Sequence, residues 1–195
     1  MFLTLAAAVH GGLSAGVNFM YIFQKGEENH FKIRLPIELR FGYRFFVKGI
    51  EGLFVDPVLT YYTAYGLRDN GEMHWMFPFK NGSIPGIQLR IGKSWKDKKI
   101  SVYGLLDVIN LSYSNILAGI SLGAGFEWGF SSYASLAARI KLGVGANQAF
   151  DIEAVSSAGA SGEVPIAVVT GGGEGGLIGG SVTIGIEVHS SKYYG

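Results

Sequence analysis

Between His30 and Lys48 the chain alternates between two kinds of side chain without losing phase. One set is Phe31, Ile33, Leu35, Ile37, Leu39, Phe41, Tyr43, Phe45 and Val47, apolar apart from one tyrosine hydroxyl. The other is Lys32, Arg34, Pro36, Glu38, Arg40, Gly42, Arg44, Phe46 and Lys48, six of nine charged. A period of two means a β-strand, because successive side chains point to opposite faces. About 9–11 residues of tilted strand cross a bilayer, and this run exceeds that. Such a strand needs hydrocarbon against one face and a charge-tolerant enclosure against the other. A transmembrane β-barrel supplies both.

Seven further segments repeat the pattern, at about 3–24, 51–67, 84–95, 99–113, 116–130, 133–147 and 177–190. In the sixth segment along the chain, Ile120, Leu122, Ala124, Phe126, Trp128 and Phe130 face Ser121, Gly123, Gly125, Glu127 and Gly129. The expected fold is all-β: an eight-stranded antiparallel up-and-down barrel in one domain over residues 1–195, with a polar lumen and an apolar exterior. Short joints near 49–51, 96–98 and 131–132 alternate with long ones at about 67–83 and 147–176. Bacterial outer-membrane barrels have short periplasmic turns and longer outer loops, and an even strand count puts both termini in the periplasm. Aromatic residues gather at both ends of the segments, where membrane interfaces should lie.

The first 24 residues contain no Lys, Arg, Asp or Glu, which suggests a signal peptide or a membrane helix. A signal peptide has a positive start and a small-residue cleavage site; here the first Lys or Arg is Lys25. Gly11, Gly12, Gly16 and Asn18 weaken a helix, whereas Leu13, Ala15, Val17, Phe19, Tyr21 and Phe23 share one strand face. A strand is expected, with Met1 as a start before an already mature sequence.

Composition closes other routes. With no cysteine there is neither a disulfide nor a thiolate metal site, and a net charge of +1 offers no basic stripe for nucleic acid. A soluble eight-stranded barrel also alternates, but its interior is just wide enough for side chains or one small ligand. The large apolar set exceeds that volume, so it belongs outside and the Gly-, Ser- and Thr-rich set inside. Pro36 and Pro57 fall within strands, where each removes a ladder donor; bulges or strand portions outside the bilayer are expected there.

The expected lumen holds Lys32, Arg34, Arg40, Arg44, Arg90, Arg139 and Lys141 against Glu38, Asp56, Asp107, Glu127 and Glu187. In so narrow a space these charges must largely pair. One reading is a structural ladder that plugs the barrel. The other is a polar path whose positive excess favours anions. In the 67–83 loop, Met73, Trp75, Met76, Phe77 and Phe79 are recognition candidates, as a lid or as a partner or lipid contact. The 147–176 loop is rich in Ala, Ser and Gly, and its VPIAVVT stretch suits a short β-extension.

No catalytic set is assigned. Glu187, His189 and Ser191 offer acid, base and nucleophile, but neighbours two apart on a strand merely share a face. The His-x-Ser spacing resembles that of outer-membrane lipid A deacylases, without their surrounding motif. Gly171, Gly173 and Gly176 match a dinucleotide fingerprint without a βαβ unit, and His10, His30, His74 and His189 are too scattered for a metal site. No cofactor is expected.

In pattern and length the whole chain resembles the small eight-stranded outer-membrane barrels, the group that includes the OmpA transmembrane domain, OmpX and OmpW. That resemblance implies a membrane anchor, an adhesion or defence factor, or a conduit for small hydrophobic molecules. Outer-membrane lipid or lipopolysaccharide, and an envelope protein at the outer loops, are the expected partners. A structural or interaction barrel ranks first, then a porin-like conduit, then a lipid A-modifying enzyme.

Overall fold

A computed structural model describes residues 7–24, 30–67, 73–76, 86–108, 116–148, 150–153, 168–171 and 175–194. The strands are β1 (Ala7–Gln24), β2 (His30–Phe46), β3 (Leu53–Leu67), β4 (Met73–Met76), β5 (Gly86–Trp95) and β6 (Ile100–Val108). They continue as β7 (Ile116–Gly129), β8 (Ala134–Gln148), β9 (Phe150–Glu153), β10 (Val168–Gly171) and β11 (Gly175–His189). Eight of them, β1, β2, β3, β5, β6, β7, β8 and β11, pair antiparallel with their neighbours in chain order. Pairing of β11 with β1, from His189 opposite His10 to Gly175 opposite Gln24, closes the ring. Closure leaves the eight-stranded wall without a free edge, and in hydrocarbon it satisfies the backbone internally.

The two faces are inverted relative to a soluble protein. Thirty-two large hydrophobic side chains are exposed among the described residues, with Leu142 at 69 % and Leu122 at 64 %. An apolar surface this continuous far exceeds what a soluble monomer shows, on the order of a few hundred Å² per patch. Buried side chains are mainly polar: Arg40, Arg44, Arg90, Glu38, Glu127 and Glu187 have no exposed surface. This is a transmembrane barrel. Trp95, Trp128, Phe130, Tyr133 and Tyr43 stand exposed at the short-turn end, and Phe19, Tyr21, Phe23 and Phe31 near the other, as two aromatic girdles require.

Gly49 and Gly52 shape the turn between β2 and β3, with φ of 90° and 70°. At Gly52 a Cβ would also sit 2.1 Å from the Ser94 carbonyl oxygen, so glycine is required twice over. The turn between β5 and β6 instead places Lys99 at φ 50°, a left-handed position that a side chain occupies at some cost.

The two prolines correct an expectation. Gly42 opposite Val58 and Phe45 opposite Val55 share one register across a gap facing Pro57. Ala15 opposite Ile37 and Asn18 opposite Arg34 likewise share one register across a gap facing Pro36. A bulge would insert a residue and shift the register, so neither proline is in one. Exposed Leu35 beside Pro36, and exposed Leu59 and Ile91 near Pro57, keep both prolines within the apolar belt. Each proline costs ladder pairs on one side only, since Pro57 still pairs with Leu89 and Pro36 with Ala64.

The two long connections contain strands. β4 pairs along the end of β3, from Ala64 opposite Met76 to Leu67 opposite Met73, and so continues the wall. β9 and β10 form a separate antiparallel pair. Phe77 and Phe79 lie outside the described residues, as do the side chains of Met73, Trp75 and Met76.

Candidate functional site

The strand pleat fixes which side chains enter the lumen, and glycine on the same face makes room for them. At Gly12 a Cβ would meet Glu187 Oε2 at 2.2 Å, and at Gly125 it would meet the Tyr103 ring at 2.3 Å. Each glycine is the direct ladder partner of the large residue, which therefore lies over the neighbouring strand where that strand has no side chain. That is one structural use of the chain's 30 glycines.

Ten of the twelve charged lumen residues expected from sequence are buried inside: Glu38, Arg40, Arg44, Asp56, Arg90, Asp107, Glu127, Arg139, Lys141 and Glu187. The side chains of Lys32 and Arg34 lie outside the described residues, and the expected positive excess rested on those two. The described lumen balances five cations, Arg40, Arg44, Arg90, Arg139 and Lys141, against five carboxylates.

Three connected clusters hold these charges. Nearest the short turns, Arg44 Nη2 donates to Glu127 Oε2 at 2.9 Å and lies 3.4 Å from Asp56 Oδ2. Its guanidinium is sandwiched between the rings of Phe54 and Tyr193, 3.8 and 3.7 Å from their centroids, a favourable place for a desolvated cation. In the middle, Glu187 Oε1 accepts from Arg40 Nε at 3.0 Å and from Arg139 Nη2, with Arg90 Nη1 3.6 Å away. Arg139 Nε also donates to Tyr103 Oη at 2.8 Å. Toward the long connections, Lys141 Nζ donates to Asp107 Oδ2 at 2.8 Å and is 3.4 Å from Glu38 Oε2. Gln88 links this cluster to the rest, donating to Asp107 at 2.7 Å and accepting from Arg90 Nε at 2.6 Å.

Dehydrating an ion costs several kcal/mol, which only close pairing and further hydrogen bonds offset. The network gives each of these charges an oppositely charged neighbour, although Arg40 Nη2, Arg44 Nε, Arg90 Nη2, Arg139 Nη1, Glu38 Oε1 and Glu187 Oε2 make no hydrogen bond among the described residues. Reaching across seven strands, the network also ties the wall together through the lumen. His10 contributes too, with Nε2 2.7 Å from Asp56 Oδ1 and Nδ1 3.6 Å from Glu187 Oε2.

The C-terminal tail adds a part that the strand pattern did not announce. After β11, Ser190 donates its backbone N–H to Val9 and Tyr193 donates its own to Ser190, turning the chain back on itself. Tyr193 is fully buried, and its hydroxyl donates to Glu127 Oε2 at 3.0 Å. Tyr194 packs beside it against Ala8, and burial pushes its phenol up to about 12. His189 stacks flat on Tyr193 with centroids 4.2 Å apart, and His10 meets the same ring edge-on at 5.2 Å. The paired tyrosines at 193 and 194 were the available signal, but period-two reading ends where the strand ends.

The acid, base and nucleophile types near the C-terminus do not converge. Glu187 faces its arginines, His189 Nδ1 lies 3.2 Å from the Ser190 carbonyl oxygen, and Ser191 is exposed. Among the described residues no hydrogen bond joins His189 to Ser191 or to Glu187.

No protein-family model matches this chain. No curated protein matches it either. Among solved structures, it is similar to that of Ail, the attachment invasion locus protein of Yersinia pestis, at 8 % identity over 92 % of this chain and 97 % of that one. The TM-score is 0.25.

Proposed function

We propose that this chain is an integral protein of the bacterial outer membrane, a structural or interaction barrel whose lumen is closed by its own ion pairs. Its contacts with lipid, lipopolysaccharide or another envelope protein are then made by the outer wall and the connections. One observation carries the reading. Arg40, Arg44, Arg90, Glu38, Glu127 and Glu187 span the lumen with no surface open to water, whereas a conducting pore keeps its polar lining hydrated. The even strand count, and short turns alternating with long connections, fit the bacterial outer-membrane class. The reading needs no catalytic step.

The test is single-channel conductance and solute flux of the refolded protein in lipid bilayers, beside an Arg40→Ala/Arg139→Ala variant. The expected wild-type result is a silent bilayer, with folding confirmed by heat-dependent gel mobility. Steady wild-type conductance that changes in the variant would replace this reading with a conduit.

A further inference from the structure

The short-turn end of the barrel carries an imbalance that the lumen lacks. Lys48, Lys93, Lys96, Lys98, Lys99 and Lys192 gather there, with Glu51 and Asp97 the only acidic side chains to oppose them among the described residues. All are exposed except Lys99, which is half-buried. Among the described residues no carboxylate is ion-paired with any of the six ammonium groups. These cations are free to meet an outside partner.

Their height on the barrel identifies that partner. Exposed Trp95, Trp128, Phe130 and Tyr133 mark the interface where hydrocarbon ends. Lys93 faces outward on β5, and its Nζ lies 5.7 Å from the Trp95 ring centroid. A lysine stem along an apolar wall with its ammonium at the aromatic girdle is snorkelling toward headgroups. The turn Lys96-Asp97-Lys98-Lys99 continues the same line just beyond. Lys99 occupies φ 50° although the neighbouring turn uses glycine at both of its left-handed positions. Keeping a charged side chain at a strained position points to a use for the charge.

We propose that this lysine collar binds anionic phospholipid headgroups of the leaflet that the short turns meet. Juxtamembrane lysines gain from anionic lipid on the order of fivefold each at low salt, and salt weakens that attraction. The proposal goes beyond the closed-lumen reading but rests on the same membrane placement, which retention of the barrel in a lipid disc checks separately.

The experiment reconstitutes the full chain into nanodiscs of equal phosphatidylcholine and phosphatidylglycerol and counts retained lipids by native mass spectrometry. A several-fold excess of retained phosphatidylglycerol is expected, reduced by 0.5 M NaCl and largely lost in Lys96→Gln/Lys98→Gln/Lys99→Gln. These positions are in a turn, and gel mobility confirms folding; Lys93→Gln alone serves as a second, milder variant expected to give a partial loss. Equal retention of both lipids by the wild type would overturn the proposal. So would a preference unchanged in both variants, or binding of soluble peptidoglycan fragments without any lipid preference.

Discussion

The inner wall near the short turns and the inner wall toward the long connections solve different problems. The first is crowded: Arg44, Asp56, Glu127, Phe54 and Tyr193 are all buried and joined to one another or to Arg90. The second is looser: beside the Lys141, Asp107 and Glu38 cluster it is lined by small groups, with Gly16, Asn18, Gly143 and Ser181 only half-buried. The contrast teaches that the described charges cluster where the lumen is most tightly filled, so the stability of the first region depends on their pairing. In the second region that dependence is confined, among the described residues, to the pairing of Lys141 with Asp107 and Glu38.

Substitutions break or sharpen that contrast. Glu187→Ala takes the acceptor from Arg40 and Arg139 and a counter-ion from Arg90, and a loss of about 3–5 kcal/mol is expected in urea unfolding followed by tryptophan fluorescence. Adding Arg139→Ala to it should cost less than the two single losses together, because the pair is coupled; simple additivity would place the two residues in separate networks. Tyr193→Ala removes one plate of the Arg44 sandwich and a donor to Glu127, for a loss of about 3 kcal/mol in the same assay. Gly125→Ala pushes a methyl group into the Tyr103 ring and should lower stability by about 1–3 kcal/mol. Gly104→Ala, outward-facing with nothing closer than 4.0 Å to the added carbon, should change the melting temperature little. Smallest of all, Ser181→Ala in the half-buried region should stay within about 0.5 kcal/mol of wild type. A large loss there would end the distinction between the two regions.

Much of this was legible in the residues themselves. Period two placed Arg40, Arg139 and Glu187 on the inner face and Leu39, Ile140 and Ile186 on the outer, because a pleat leaves no third choice. Which charges meet was not legible, since Arg40 and Glu187 are 147 residues apart and meet only after the ring closes. Phe54 and Val58 also escaped notice, being apolar side chains on a polar face. Phe54 is there to cover a guanidinium, a role that its own strand does not reveal. The prolines misled for a related reason. A missing donor suggests a bulge, yet a wide wall tolerates a gap of two residues while neighbouring pairs hold the register.

The most direct test of a dry, charge-closed lumen uses the chain's lack of cysteine. A single Ser14→Cys, beside Arg40 in the middle cluster, is treated with a water-soluble maleimide in the bilayer-embedded protein, with exposed Ser132→Cys as the control. The expected result is fast labelling at 132 and none at 14 until urea unfolds the barrel. Labelling at 14 as fast as at 132 would mean that water fills the lumen, and the ion pairs would then line a path rather than close one.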